Sequence, residues 1–433
     1  MGGSKRELYS PDLTIHGTSA HRLSAHLCFL QAHRSSRPHQ ATMSSLGEAI
    51  IHFAVDLFQQ IRQSEKENIF FSPLSIMSAL AMTSLGAREH TASEIQKVLH
   101  FNEIAENKEE GTTVDPVETP GCIHHQFQTL LTELKKPTDA YELNTANRLY
   151  GEKTFLFLQA YMDNVKKFYL ASVESADFGN AAEESRKMIN SWVESQTNEK
   201  IKDLFPEGSL GSLTVLVLVN AVYFKGQWCQ KFKKEDTGEE KFWLNKDTSK
   251  SVQMMQQTDH FNFTSLEDMQ VKILEIPYKG RELSMVLLLP NEVDGLQKLE
   301  DQLTAEKLIE WTSPQNMSER QVALHLPRFK VEEKYDLKAT LGALGMVDAF
   351  SEGKADFSGM TGSGDLVVSK VLHKSFVEVN EEGTEAAAAT GIEIDITSLP
   401  PIPDSFRCDH PFLFFIKHNK TNSILFYGRI SSP

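Results

Sequence analysis

Apolar residues recur at helical spacing from Ser45 onward. In SLGEAIIHFAVDLFQQIRQ, residues Ile50, Ile51, Phe53, Ala54, Leu57 and Ile61 share one face and predict an amphipathic helix. The next apolar run, NIFFSPLSIMSALAMTSLGA, joins a short strand to a helix opening at Ser72-Pro73, where a serine hydroxyl can cap and proline fits the first turn. Helical patterns return in HHQFQTLLTELKK, LQAYMDNVKKFYL and AEESRKMINSWVESQTNEKI. The acidic segment from Asn102 to Cys122, broken by glycine and proline, predicts an exposed inter-helix loop. After about residue 212 the texture changes: LTVLVLVNAVYFKGQW is an almost unbroken β-branched run, as expected of a strand buried on both faces. Strand-like runs follow in VKILEIPY, LSMVLLLP, QVALHLPRF, LVVSKVLHKSFVEV, FLFFIKH and SILFYGRI. Helices first and strands mostly later, with no internal repeat, predict one interlocked α+β domain over residues 43–433.

One segment mixes two patterns. In EEGTEAAAATGIEIDITS, alternate residues Thr384, Ala386, Ala388, Thr390, Ile392, Ile394 and Ile396 are small or apolar. The interleaved Glu385, Ala387, Ala389, Gly391, Glu393, Asp395 and Thr397 begin small and become polar or acidic. Period-two alternation over about fourteen residues marks a strand with one buried face, yet the stretch otherwise reads as a loop.

Composition narrows the function. The 433 residues are 24 % charged and 40 % hydrophobic, without a run of eighteen apolar residues, so no membrane partner is expected. A net charge of −15 argues against a nucleic-acid partner, which needs a basic patch. Cys28, Cys122, Cys229 and Cys408 are scattered without a C-x-x-C pair, which suits reduced thiols and excludes an ordinary zinc cluster. Residues 1–42 lack a continuous apolar core for a secretory signal and are expected to be a disordered extension or an alternative start, Met43 opening the domain.

No catalytic constellation is visible: H-E-x-x-H, G-x-x-x-x-G-K-[ST] and G-x-S-x-G are all missing, and TGSGD is a bare glycine turn. His124-His125 read as solvated helix residues and His373, on an apolar strand, as a hydrogen-bonded structural histidine. The sequons at Asn262, Asn316 and Asn419 are expected to stay unmodified. Neither an enzyme activity, a cofactor nor a metal is expected.

The motifs NIFFSPLSI, LVLVNAVYFKGQW, ADFSGM, HKSFVEVNEEGTEAAAAT and HPFLFFIKHNKTNSILFYGRISSP, in this order, resemble the serpins, specifically their intracellular ovalbumin-like branch. The resemblance spans Met43 to Pro433. It implies a fold of three β-sheets and about nine helices with an exposed reactive-centre loop, here residues 381–404. It also implies a suicide-substrate protease inhibitor: the target protease cuts the loop, forms a covalent acyl-enzyme, and is dragged away as the loop inserts into the central sheet. A monomer in the cytoplasm, with release from the cell by a non-classical route as a further option, goes with that branch.

Counting seventeen residues from the first hinge glutamate, as the family does, runs from Glu381 to Thr397 and puts the reactive bond at Thr397-Ser398. The hinge is then Glu381, Glu382, Gly383, Thr384, Glu385, Ala386, Ala387, Ala388 and Ala389. Gly383 supplies a pivot and the alanines carry little that can jam between strands. Fully inserted, such a segment reaches roughly 50 Å. By the same resemblance, Ser72, Ser75, Asn220 and His373 form a polar cluster beneath the sheet, and Trp228 stands where insertion begins, beside Glu381. Thr397 suits neither a trypsin nor a chymotrypsin pocket. Ile396, one position earlier, suits papain-like cathepsins, so a cathepsin L-like cysteine protease is the expected target and an elastase-like serine protease the alternative. A non-inhibitory, ovalbumin-like binding protein is the opposing reading.

Overall fold

The computed structural model describes residues 37–102, 122–382 and 401–433, with side chains from Ser45 onward. Residues Met43–Pro433 form one compact unit. Outside the described residues lie positions 1–36, positions 103–121 of the expected inter-helix loop, and positions 383–400 of the expected reactive loop. The last group includes Gly383, Thr384, Glu385, Ala386 to Ala389, Ile396, Thr397 and Ser398.

The helix read from Ser45 is α1 (Arg37–Ile61), and its apolar face is buried. Strand β1 (Ile69–Phe71) leads into α2 (Pro73–Gly86), where the Ser72 side chain accepts from the Ser75 N–H and Pro73 fills the first turn, as the sequence predicts. Almost every α2 residue is buried, so this helix runs through the core instead of lying on it. Then come α3 (Glu89–Val98), α4 (Ile123–Leu134), β2 (Tyr141–Glu152), α5 (Gln159–Tyr169), β3 (Ser172–Ala176), α6 (Ala182–Gln196) and β4 (Leu216–Gly226). The strand-rich part holds β5 (Gly238–Trp243), β6 (Ser249–Leu266), β7 (Val271–Pro277), β8 (Leu283–Pro290), β9 (Ser318–Pro327), β10 (Phe329–Asp336), β11 (Lys370–Val379), β12 (Asp404–Arg407), β13 (Phe412–His418) and β14 (Ser423–Ile430). Short helices α7 (Leu296–Gln302), α8 (Ala305–Trp311), α9 (Lys338–Leu344) and α10 (Ser358–Thr361) fill the connections.

Five strands form the central sheet in the order β10-β11-β4-β2-β3. The other nine are hydrogen-bonded as one assembly, because the long β6 pairs with β5 over Ser249–Met254, with β9 over Met254–Phe263 and with β7 over Asn262–Leu266. The two smaller sheets of the expected three-sheet layout are therefore bridged by a single strand.

Strand β4 explains its own composition. Leu216, Leu218, Val222 and Phe224 face a large core shared with α2, β13 and β14, while Val217, Val219, Ala221 and Tyr223 face a second core with Ile189 and Val193 of α6. A strand with apolar neighbours on both sides needs no alternation. Asn220 is its polar exception, and it lies on the large-core face.

In the large core, Gly428 of β14 lies opposite Phe414 and Phe70. A Cβ there would sit 2.5 Å from Phe414 Cε1 and 3.1 Å from the Ile69 carbonyl oxygen. Gly428→Ala is expected to lower stability by about 1–3 kcal/mol through overpacking, read as a lower urea midpoint without a change of slope.

Candidate functional site

Strands β4 and β11 are direct neighbours at the middle of the central sheet, and they run parallel, from Lys370↔Val217 to Glu378↔Lys225. Their flanking partners β2 and β10 are antiparallel to them. The chain leaves β11 at Val379 and passes directly into the hinge, so the described part of the hinge starts at one end of this parallel seam.

A polar row crosses the seam among apolar side chains. By register, Tyr335, His373, Asn220 and Asn147 stand on four adjacent strands at one level. His373 Nε2 accepts from the Ser72 backbone N–H at 3.0 Å, and its Nδ1 lies 2.6 Å from Asn220 Oδ1, an acceptor. The neutral imidazole thus carries its proton on Nδ1. Asn220 Nδ2 donates to Ser75 Oγ at 2.7 Å, and Ser72 Oγ donates to the Leu425 carbonyl at 2.6 Å. The row ties β4 and β11 to each other, to the start of α2 and to β14. All four predicted residues, Ser72, Ser75, Asn220 and His373, are buried. Burial pushes the His373 imidazole down to about 3, because a charged ring there would have no water and would turn Nε2 into a donor facing a donor.

At the hinge end, the Trp228 indole N–H donates to the Asn380 carbonyl at 2.8 Å and its backbone N–H to the Glu382 carbonyl at 3.2 Å. The ring stacks on Tyr278 at 4.5 Å. Glu381 is buried, with Oε1 accepting from Arg328 Nη2 at 2.5 Å and Thr237 Oγ1 at 2.8 Å, and Oε2 accepting from Arg328 Nε at 3.2 Å. Burial by itself would raise this carboxyl; the Arg328, backbone and Thr237 hydrogen bonds outweigh it and hold the group below the usual glutamate range. Glu382 pairs across the seam with Lys225 of β4 at 3.0 Å. Glu378 meets Lys225 at 3.9 Å and Lys330 of β10 at 3.2 Å.

Trp228, Glu381 and Glu382 are expected from the family resemblance; Arg328, Thr237 and Lys225, which bond the two glutamates, are not. A lone basic residue in LPRF carries no local signal that it will meet a glutamate more than fifty residues later. His124 and His125 correct an expectation: both are half-buried, His124 Nδ1 lying 2.6 Å from the Tyr169 hydroxyl and His125 edge-on to Phe168, because α4 packs on the aromatic face of α5. The thiols of Cys122, Cys229 and Cys408 form no disulfide among the described residues. No helix among them is long and apolar enough to cross a membrane.

The hinge residues Asn380 to Glu382 thus sit at one end of a parallel seam in the central sheet. Residues 48–433 match the serpin (serine protease inhibitor) family, and the chain belongs to that family of protease inhibitors. It is 66 % identical to human Serpin B3 over 391 residues, covering 90 % of this chain and all of that one. Identity is 58 % over 392 residues to human Serpin B13 and 50 % over 396 residues to the leukocyte elastase inhibitor of Equus caballus, again covering 90 % of this chain and all of each relative. Among solved structures, uncleaved ovalbumin superposes with a TM-score of 0.81 at 40 % identity, and a loop-inserted, cleaved ovalbumin mutant with 0.78 at 39 %, both over 90 % of this chain and all of the other.

The neutral His373 gives a pH window. Between pH 6.5 and about 3 the unfolded chain binds a proton at this residue and the folded one does not. Its contribution to stability is therefore fully present above the unfolded pKa and is lost as pH falls through that window, at up to about 1.4 kcal/mol per pH unit. His373→Gln is expected to be less stable at pH 7.5 yet to show a smaller drop in urea midpoint between pH 7.5 and pH 5 than the parent; an equal drop would remove His373 as the source.

Proposed function

We propose that this serpin is a suicide substrate for a papain-like cysteine protease of cathepsin L type, cut at Thr397-Ser398. The protease thiolate attacks the Thr397 carbonyl carbon, a thioester forms, and the amine of Ser398 departs with the proton supplied by the protease's own acid. The freed segment then inserts between β4 and β11 before water hydrolyses the thioester.

The observation that carries this reading is the parallel seam. A chain that reverses at the hinge after β11 runs antiparallel to β11, and hence antiparallel to β4 as well. Insertion replaces one parallel ladder by two antiparallel ones, the slightly more stable pairing, and adds a strand's worth of hydrogen bonds. Ile392, Ile394 and Ile396 on one face would each contribute on the order of 2 kcal/mol when buried. Ser72, Ser75, Asn220 and His373 hold the seam shut until then, and Trp228 with Glu381 fixes where opening begins. Ile396 favours the cathepsin pocket, by family resemblance. An elastase-like serine protease is the second reading, favoured by the small Thr397 and by the 50 % identity to a leukocyte elastase inhibitor. The buried Cys408 thiol, which forms no disulfide among the described residues, supports a cytoplasmic location for this covalent, otherwise monomeric inhibitor.

Incubation with cathepsins L, K and S, elastase and chymotrypsin, followed by denaturing electrophoresis and mass measurement, tests the proposal. A stable complex with cathepsin L and a released peptide beginning at Ser398 are expected. A complex with elastase alone would select the second reading, and cleavage by every protease without lasting inhibition would select a non-inhibitory, ovalbumin-like role. Ala388→Arg, a bulky charge on the small-residue face, should leave cleavage intact and cut the complexed fraction at least tenfold. Loop cleavage of the parent should raise its unfolding temperature markedly.

A further inference from the structure

Away from the seam and hinge, three acceptor groups from distant parts of the chain converge on one point. His418 closes β13 and is fully buried; Glu133 lies in the last turn of α4, and Glu282 precedes β8. His418 Nε2 is 3.6 Å from Glu282 Oε1 and 3.8 Å from Glu133 Oε1, and the ligand atoms of all three residues lie within 4.8 Å of one another. Those separations exceed a hydrogen bond, and Nε2 has no hydrogen-bond partner among the described residues.

The Thr421 hydroxyl holds the ring through its other nitrogen. Nδ1 stands 2.8 Å from the Thr421 hydroxyl oxygen, which accepts when Nδ1 is protonated. In that tautomer the neutral ring turns a buried lone pair on Nε2 toward two carboxylates, one of which also faces the Tyr141 hydroxyl, and an acceptor buried against acceptors is a cost that a cation would remove. The arrangement has the parts of a metal site: one imidazole nitrogen, two carboxylate oxygens, and an outer hydrogen bond that fixes the ring's tautomer and direction. Tetrahedral zinc with bonds of about 2.0–2.1 Å puts ligand atoms about 3.3 Å apart, so small side-chain movements bring the three into range. Lys420 also lies 3.6 Å from Glu133 Oε1, and it is mostly exposed and free to swing away.

We propose that His418, Glu133 and Glu282 bind one divalent transition-metal ion of the zinc class, with water completing the coordination. The only other such grouping among the described residues, His90, Glu94 and Asp348, differs: its histidine is exposed and already bonded to Asp348 at 2.6 Å, and Glu94 accepts two backbone N–H groups. It offers no orphaned atom. A bound ion would brace the end of α4 against β13 and the turn before β8.

The test uses the full chain, stripped with a chelator and kept reduced, titrated with zinc by calorimetry and with cobalt by visible absorption. One equivalent is expected, with the intense visible band of tetrahedral cobalt and no thiolate charge-transfer band. The double variant E133Q/E282Q, altered at partly exposed positions that leave the core untouched, should lose at least tenfold in affinity. Thr421→Val should weaken binding about tenfold by freeing the ring, and H90Q should change nothing. Absence of a stoichiometric site in the parent, binding undiminished in E133Q/E282Q, or binding lost in H90Q would each overturn the assignment.

Discussion

The parallel contact between β4 and β11 is the constraint on which the rest of this structure depends. Two neighbouring strands running the same way cannot be joined by a tight turn, so the chain must travel far between them. Here that route takes in most of the strand-rich half. The consequence is a seam in the middle of the main sheet that no short connection closes. The two strands are joined there by their backbone ladder, by the His373–Asn220 row, and by ion pairs at the hinge end.

Within the row His373 and Asn220 are hydrogen-bonded to each other and to the start of α2, so separating them would not be favourable in itself. A strand that supplies its own backbone partners on both edges, however, compensates the lost ladder twice over. The buried Glu381 carboxylate, clamped by Arg328 and Thr237, keeps the start of the loop at one fixed place relative to that seam. Position and supply of new hydrogen bonds are thus set by different residues, and either can be altered without the other.

Much of this was legible in the chain. The α+β order, the capped buried helix at Ser72-Pro73 and the two-faced β4 follow from apolar periodicity, because those elements face apolar surroundings in simple ways. Strand β2 escaped, since YELNTANRLYGE is half-buried and polar on both alternating series. So did most of β6, whose long SKSVQMMQQTDHFNFTSL pairs with three different strands and is exposed at many positions. At the site, the family resemblance supplied Ser72, Ser75, Asn220, His373 and Trp228, and geometry adds how they touch. Arg328, Thr237 and Lys225 could not be read, because a salt bridge between distant segments leaves no mark on either one. Nor could His418 with Glu133 and Glu282, three lone residues whose meeting is purely tertiary.

The ion pairs and the buried row also differ in what they sense. The pairs of Lys225 with Glu378 and Glu382 stand at the rim, partly in water, where salt at physiological strength screens charges over about 8 Å. The His373 row lies about five residues further in, some 17 Å along the strand at the usual rise, with the His373 ring fully buried. Ionic strength therefore acts on the first lock and acidity on the second. A single sheet thus answers to two different solution variables, salt at its rim and protons at its buried row.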